Sequence, residues 1–325
     1  MTALLRAKNV VKHFRSGGQF GGTKAIIKAL NGVSGRYPHG EVFCVVGESG
    51  CGKSTLARII AGLHRPTSGT VHFNGTRMDN LSAAGRRPHR RAMQMIFQNP
   101  QESLNPRMTV RQTLAEALHF HFPATTASEC EVKMLGVLAD TGLSADTLSR
   151  YPHQFSGGQR QRISIARALI VQPQCIIADE PIAALDVSVQ AQILNLLSDL
   201  RDKHQLAYFF ITHDLSVVEH FGHQVTVMYL GLICETGSSK TLFKKPRHPY
   251  TQTLLQAAPR IGKPLATAKL PGEPPTPLAI PSGCAFHPRC PYANKRCRDD
   301  KPKLMRLAEG TVACHAVEEG RIAAE

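Results

Sequence analysis

Short apolar runs alternate with segments of helical spacing along most of the chain. Strand-like runs lie at 4–14, 26–36, 41–46, 70–74, 92–97, 175–180, 207–211, 225–230 and 231–235. Helical spacing follows the run at 41–46, continues through 109–150 and returns at 189–200. Strands that alternate with helices are typical of a parallel sheet with helices on its faces. The pattern therefore predicts an α/β fold with a helical insert at about 109–150.

Three segments follow neither period. The glycine-rich segment 15–24 and the basic segment 86–91 predict solvated loops, and the proline-rich segment 264–281 predicts a linker. No apolar run approaches the ~18 residues of a membrane helix, and Arg6 and Lys8 come too early for a signal-peptide core. We therefore expect a soluble intracellular protein with a large domain at 1–262 and a small module at 263–325.

The charge balance is strongly basic. The chain has 39 Lys and Arg residues against 24 Asp and Glu residues, a formal net charge of +15. This balance favours anionic partners such as a nucleotide, an anionic lipid surface or a nucleic acid, and it equally fits a basic solvated surface. Charge alone therefore leaves the partner open.

A phosphate-binding loop follows the apolar run at 41–46. It fits the pattern G-x-x-x-x-G-K-[ST] and consists of Gly47, Glu48, Ser49, Gly50, Cys51, Gly52, Lys53, Ser54 and Thr55. Backbone N–H groups and a helix N-terminus wrap the phosphates, Lys53 reaches the β- and γ-phosphates, and Ser54 ligates Mg²⁺. The same N–H groups and Lys53 predict a lowered pKa for the Cys51 thiol. The loop predicts that the chain binds a nucleoside triphosphate.

Five further motifs narrow the class of nucleotide-binding protein. In chain order they are Gln98, Phe155-Ser156-Gly157-Gly158-Gln159, the apolar run from Cys175 to Asp179 and Glu180, Ala184-Leu185-Asp186, and His213. Together with the phosphate loop they resemble the ATP-binding-cassette (ABC) ATPases over about 4–237. The flanking sequence, for example Arg247-His248-Pro249-Tyr250-Thr251, resembles that of the second ATPase subunit of dipeptide/oligopeptide importers. Phe155 and Ala183 depart from the usual Leu and Ser of the family without removing a catalytic group.

The resemblance implies a fold and a role for each motif. It implies a RecA-like parallel sheet core, an antiparallel N-terminal β subdomain, a helical signature subdomain at about 109–158 and a small Cys-rich extension. It makes Glu180 the general base, His213 a γ-phosphate contact, Asp179 a Mg²⁺ ligand and Gln98 a sensor of Mg²⁺ and water. Phe14 would stack on the adenine.

The signature motif implies a dimer. Ser156, Gly157, Gly158 and Gln159 at a helix N-terminus form an anion site, which in this family serves the ATP of the opposite subunit, with Asp186 beside it. The resemblance thus implies a second homologous ATPase subunit (a heterodimer or a homodimer), two membrane permease subunits docked near 98–107, and an extracytoplasmic binding protein. It places the chain on the cytoplasmic face of the bacterial inner membrane as a peripheral protein.

The tail contains four of the nine cysteines: Cys284, Cys290, Cys297 and Cys314. In a reducing compartment they predict metal ligation rather than disulfides, and zinc and an iron–sulfur cluster both accept four thiolates. The spacing lacks the close pairs of zinc sites, and Gly283 to Cys290 resembles importer tails that bind [4Fe–4S]. We therefore expect a [4Fe–4S] cluster, with Zn²⁺ as the alternative, remote from ATP.

Two functions are compatible with these motifs. The first is an ATPase subunit that powers a peptide importer, with ATP and Mg²⁺ as cofactors and no nucleic-acid partner. The alternative is a soluble ABC ATPase that acts on nucleic acid or ribosomes, but such proteins usually have two cassettes in one chain. The single cassette and the importer-like tail favour transport. The cargo stays open among peptides, nickel chelates, opines and glutathione.

Overall fold

A computed structural model describes residues 3–15, 25–99, 103–257 and 275–322. The chain divides into two compact units. The first unit contains Met1–Pro38, Val42–Asn80 and Ile211–Glu325, and the second contains His39–Glu41 and Leu81–Phe210. The predicted loop at 15–24, apart from Arg15 at the end of the first strand, and most of the predicted linker at 264–281 lie outside the described residues. The predicted division at 262 and 263 stays a prediction.

The first unit contains an antiparallel sheet built from the N-terminal strands. Its strands are β1 (Leu5–Arg15), β2 (Ile26–Tyr37), β4 (Ser68–Phe73) and β5 (Thr76–Arg77), in the order β2-β1-β4-β5. Val10, Leu30, Val33 and Phe73 are buried because alternate side chains of these strands share one face. The antiparallel N-terminal β subdomain is confirmed.

A second, mixed sheet positions the phosphate loop in the same unit. Its strands are β3 (Val42–Val46), β9 (Gln224–Tyr229), β10 (Leu232–Ser238), β11 (Met305–Leu307) and β12 (Gly310–Val312). Their order is β11-β12-β10-β9-β3, with β3 and β9 parallel and the other neighbours antiparallel. All five residues of β3 are buried, which matches its continuous apolar sequence. The tail hairpin β11–β12 therefore extends the sheet that contains β3.

Six helices accompany these strands in the described part of the first unit. They are α1 (Lys53–Ile60), α7 (Leu215–Phe221), α8 (Ser239–Lys244), α9 (Pro249–Ala257), α10 (Lys295–Asp299) and α11 (His315–Glu318). Helix α1 buries Leu56, Ala57, Ile59 and Ile60. It begins at Lys53, within the phosphate-loop motif, and continues through the apolar segment after the motif, where the sequence predicts a helix.

The second unit has a parallel core and the helical insert. Strands β6 (Met93–Ile96), β7 (Cys175–Asp179) and β8 (Ala207–Ile211, whose last residue belongs to the first unit) lie in the order β8-β7-β6, and β6 and β7 are parallel. The helices are α2 (Ala83–Ala92), α3 (Val110–His121), α4 (Ala127–Asp140), α5 (Gly157–Leu169) and α6 (Val187–His204). Helices α3 and α4 begin with complete capping boxes at Thr109 and Thr126. The α/β fold is confirmed.

Helix α2 corrects the prediction for the basic segment at 86–91. The segment is helical although Pro88 lies inside it, and none of its residues is buried. The Ser82 hydroxyl accepts a hydrogen bond from the Gly85 N–H at 3.2 Å and so caps the N-terminus. The prediction of a loop was wrong because a helix without a buried face shows no apolar period.

Candidate functional site

The phosphate loop connects the end of β3 to α1 and turns at glycines with positive φ. Gly47 and Gly52 have φ of +149° and +105°. A Cβ atom on Gly47 would lie 2.2 Å from the Met228 carbonyl oxygen, and one on Gly52 would lie 2.4 Å from the Ala29 carbonyl oxygen. Only glycine fits both places, because backbone approaches closely and the backbone conformation disfavours L side chains.

Lys53 lies at the centre of this loop. Its ammonium donates to the carbonyl oxygens of Gly47 at 2.8 Å and Glu48 at 3.0 Å, and the residue is 5% exposed. The Gly231 N–H, in the turn between β9 and β10, donates to the Cys51 carbonyl at 2.9 Å. The loop is therefore held by hydrogen bonds from its own Lys53 side chain and from the turn between β9 and β10. Ser54 and Thr55 follow in the first turn of α1.

The Cys51 thiol differs from its prediction. The residue is 3% exposed, and burial raises the pKa of its thiol above the ordinary value. The positive charge of Lys53 acts in the opposite direction without reversing the shift. The prediction of a lowered thiol pKa was wrong, because it counted the neighbouring charge and omitted the burial.

The C-terminal tail contacts the phosphate loop at Glu48. The Arg289 guanidinium donates to both carboxylate oxygens of Glu48, at 2.8 and 3.1 Å, and the Glu48 N–H donates to the Tyr250 hydroxyl at 2.8 Å. Burial alone would lower the pKa of Arg289, but its hydrogen bonds to Glu48 and Tyr229 outweigh burial and raise it. The predicted position of the cluster, remote from ATP, stays a prediction, but the tail itself contacts the phosphate loop through Arg289.

Phe14 lies near the end of β1 and is half-buried. Its ring meets the ring of His64 edge to face, with centroids 6.0 Å apart, and the Lys12 ammonium lies 4.9 Å from its centroid. A ring that is half-exposed and has a cation beside it suits stacking on a planar base. The adenine contact of Phe14 stays a prediction.

His213 follows the end of β8 and is exposed. The preceding Thr212 N–H donates to the Val45 carbonyl of β3 at 3.3 Å, which fixes the backbone at this point. The next residue, Asp214, caps α7 by accepting from the Ser216 N–H at 2.9 Å. His213 is thus an exposed side chain on a fixed backbone segment, between a strand and a capped helix.

In the second unit, the structure brings Gln98 and Glu180 together. Asp179 ends β7 and is 4% exposed. Glu180 follows it with φ of +48°, a conformation that non-glycine residues rarely adopt. The Gln98 amide donates to a Glu180 carboxylate oxygen at 3.2 Å. Two side chains 82 residues apart in sequence therefore meet at the carboxyl ends of parallel strands β6 and β7.

The signature motif forms the N-terminus of α5. The Ser156 hydroxyl accepts from the Gln159 N–H at 3.3 Å, and the Gln159 side chain accepts from the Ser156 N–H at 3.1 Å. Gly158 packs against α6 so closely that a Cβ atom would lie 2.6 Å from the Val189 Cγ1 atom. The four residues 156–159 therefore form a rigid capping box whose glycines permit close packing.

The segment that contains Asp186 precedes α6. The Gln190 amide donates to the carbonyl oxygens of Ile182 at 3.2 Å and Leu185 at 2.9 Å. Asp186 is exposed, and its neighbour Val187 is 81% exposed. Gln190 was not predicted as a site residue, although it follows the predicted Ala184-Leu185-Asp186 motif by only four residues. It fixes an exposed segment that has an apolar side chain at its tip.

The four tail cysteines lie within electrostatic reach of one another. Cys284 and Cys290 are half-buried, whereas Cys297 and Cys314 are buried. Burial raises the pKa of Cys284 to about 12 and that of Cys290 to about 11, and neighbouring thiols act in the same direction. Within the described residues, no group of three or more His, Cys, Asp or Glu side chains is arranged to hold a metal ion. The structure therefore gives the predicted [4Fe–4S] cluster no support.

Comparison with known protein families identifies the class of the fold and site. The family described as "ABC transporter" matches residues 30–183, and the one described as "Oligopeptide/dipeptide transporter, C-terminal region" matches residues 234–297. The solved dimer of the ATP-binding cassette MJ0796, in a post-hydrolysis state bound to ADP and Pi, is 30% identical with a TM-score of 0.64. The matched region includes 72% of this chain and 98% of the MJ0796 chain.

Characterised relatives match nearly the whole chain. The di/tripeptide transport ATP-binding protein DppF of Pseudomonas aeruginosa is 47% identical over 98% of this chain and 99% of its own length. The dipeptide transport ATP-binding protein DppF of Escherichia coli is 45% identical over 97% of this chain and 95% of its own. The chain belongs to the ABC transporter family of ATP-binding proteins. It is an ATPase of the ABC type.

None of the helices in the described ranges is both long enough and apolar enough to cross a bilayer.

Proposed function

We propose that this ATPase dimerises head to tail and powers the import of di- and oligopeptides through two separate membrane permease subunits. The observation that carries the proposal is the combination of an ABC cassette and an oligopeptide/dipeptide-transporter C-terminal region in one chain. Relatives named for dipeptide and di/tripeptide transport match at 45 and 47% identity over nearly the full length. An extracytoplasmic binding protein would deliver the peptide, and the chain would lie on the cytoplasmic face of the inner membrane.

The ATP site that we propose consists of the sequence motifs named above. Residues 47–55 bind the phosphates, Phe14 stacks on the adenine, and His213 contacts the γ-phosphate. The oxygen ligands that we propose for Mg²⁺ are Ser54, Asp179 and Gln98, since hard cations prefer oxygen. A bound Mg²⁺ neutralises charge that develops on the phosphates.

Glu180 is our proposed general base for the attacking water. Its left-handed backbone places the carboxylate directly after the buried Asp179, and Gln98 orients it by a hydrogen bond. A carboxylate accepts the water proton while the water attacks the γ-phosphorus, and ADP leaves. Glu180 is the carboxylate that the Gln98 amide contacts, which supports its assignment to this role.

The signature segment supports the head-to-tail dimer. Residues 156–159 form a helix N-terminus whose donors and dipole favour an anion. Asp186 and the 81%-exposed Val187 provide polar and apolar contact groups for a partner. The partner would be a second homologous ATPase subunit, in a heterodimer or a homodimer.

A [4Fe–4S] cluster at Cys284, Cys290, Cys297 and Cys314, with Zn²⁺ as the alternative, remains a proposal that rests on thiol chemistry and on the resemblance of the tail sequence to importer tails. Protein purified without oxygen is to be analysed for iron, acid-labile sulfide and zinc, with visible absorption as a second readout. Brown colour with iron and sulfide supports a cluster. One zinc per chain supports the alternative, and metal-free protein eliminates both.

Peptide uptake tests the proposed function. Cells that lack this gene are complemented with the wild-type chain or with Glu180→Gln, and uptake of a labelled dipeptide is measured. We expect uptake only with the wild-type chain, and competition by unlabelled peptides but not by nickel chelates, opines or glutathione. Unchanged uptake in the deletion strain, or competition by a non-peptide compound alone, would refute the peptide cargo.

A further inference from the structure

Arg289 is a buried cation that reaches the phosphate loop from the tail. Its side chain is 4% exposed, and it forms a two-pronged ion pair with Glu48 at 2.8 and 3.1 Å. A third hydrogen bond joins it to the Tyr229 hydroxyl at 3.3 Å. Paired, planar hydrogen bonds of this kind fix both direction and distance. The guanidinium therefore has one defined position beside the loop.

Glu48 connects that cation to the centre of the loop. Its N–H donates to the Tyr250 hydroxyl at 2.8 Å, and its carbonyl oxygen accepts from Lys53 at 3.0 Å. The Cys51 N–H donates to the same carbonyl at 3.3 Å. Glu48 therefore connects Arg289 to Lys53 through hydrogen bonds of its side chain and its backbone.

The tail holds Arg289 by aromatic packing. Phe286 is 1% exposed, and its ring centroid lies 5.3 Å from those of both Tyr229 and Tyr250. A short 3₁₀ turn, His287–Arg289, follows Phe286 directly and directs the arginine to Glu48. The anchor and the cation are three residues apart. The packing of Phe286 therefore also determines where Arg289 lies.

A carboxylate in a phosphate-binding loop is unfavourable for binding an anion unless its charge is compensated. Arg289 provides that compensation for Glu48. We propose that Arg289 is a positioning residue that neutralises Glu48 and holds the phosphate loop in its ATP-binding shape, so that ATP binding depends on the docked tail. This inference rests on ATP binding by the cassette and is independent of the peptide cargo.

The test is a charge-rescue experiment on the full chain, read out as the Kd of ATP with Mg²⁺ and as kcat and KM of hydrolysis. We expect Arg289→Met to weaken ATP binding by about tenfold, which is about 1.4 kcal/mol. KM should rise in parallel while kcat at saturating ATP changes little, because the lost interaction acts on binding. Glu48→Gln combined with Arg289→Met should recover part of the affinity, because no unpaired carboxylate is left although the two-pronged contact is still missing.

A matched control is Arg296→Met, which removes another tail arginine with two ion pairs, to Glu318 and Glu319. It should leave the Kd of ATP unchanged.

If Arg289→Met does not fold, Arg289→Lys replaces it in the test. This variant keeps the charge, loses the two-pronged geometry and should bind ATP with a several-fold higher Kd. Wild-type affinity in whichever of these two Arg289 variants folds, or a double variant no better than Arg289→Met, would overturn the proposal. Wild-type hydrolysis and peptide uptake, measured separately, report on the proposed function.

Discussion

Glu180, the proposed general base, has a strained backbone conformation. A left-handed conformation costs about 1–2 kcal/mol for an L residue, and here it occurs directly after the buried Asp179. Strained backbone persists where the surrounding structure determines it, which is frequent at functional sites. The sequence motif predicted the residue and its neighbour Gln98, but it contained no sign of the conformation.

Replacing Glu180 with Gln tests its role as the base. The change keeps the size of the side chain and removes its ability to accept a proton, so we expect hydrolysis to fall by about 10²–10⁴-fold. ATP binding should stay at the wild-type level, and the ATP-bound dimer should accumulate, as seen by size-exclusion chromatography. Hydrolysis close to the wild-type rate would assign the base to another residue.

Cys51 gives a second prediction at the residue scale. Because burial raises the pKa of its thiol, little thiolate is present at pH 7, and maleimide should modify Cys51 slowly in the native protein. Mass-spectrometric mapping should show rapid modification only after unfolding, and Cys51→Ala should leave the native labelling pattern unchanged. Fast native labelling of Cys51 that ATP blocks would contradict the burial.

At the scale of elements, two helix glycines are expected to behave oppositely. Gly158→Ala places a methyl group against Val189 at the contact between α5 and α6, and we expect a loss of stability of about 1–3 kcal/mol. Gly136 in α4 faces open space, so Gly136→Ala should stabilise by about 0.5–1 kcal/mol. Thermal unfolding compares the two variants, and a Tm for Gly158→Ala at or above that of the wild type would refute the close packing.

His248 links β10 and the tail and should make stability depend on pH. Burial lowers its pKa to about 4, against about 6.5 in an unfolded chain, so the unfolded state binds the extra proton. Its contribution is complete above about pH 6.5 and is lost as the pH falls toward 4. Between pH 7 and 5.5 the wild type should lose about 1 kcal/mol more than His248→Asn in chemical denaturation.

The difference in pH-dependent stability between the wild type and His248→Asn separates the effect of His248 from that of its neighbour Glu235. Glu235, whose carboxylate accepts from the His248 N–H at 2.9 Å, has its pKa raised by burial. A raised carboxyl pKa acts in the opposite direction, because the native state then holds the proton more firmly, and it acts in both proteins. Parallel pH profiles for wild type and His248→Asn would show that His248 does not titrate as described.

The same scale shows what the sequence could and could not predict. Strands β3 and β7 and helix α5 follow from apolar runs and motifs that are local. Helix α2 was missed because it has no buried face. The contacts of Glu48 with Tyr250 and Arg289 span 202 and 241 residues and leave no periodic signal. Long-range side-chain contacts of this kind require the folded chain.

At the scale of the whole molecule, the tail is part of the nucleotide-binding architecture. Its hairpin β11–β12 pairs with β10, and Arg289 reaches the phosphate loop, so the family-specific tail and the general ATPase cassette meet within one compact unit. The region that matches the oligopeptide/dipeptide-transporter family thus contacts the loop that we propose binds phosphate.

The most direct test is ATP hydrolysis coupled to peptide accumulation in proteoliposomes. These contain this chain, its ATPase partner and both permease subunits, with a peptide-binding protein outside. We expect hydrolysis to rise when the binding protein carries a peptide, with accumulation of that peptide against its gradient, and both to disappear with Glu180→Gln. Active hydrolysis that ignores the loaded binding protein and moves no peptide would contradict the account.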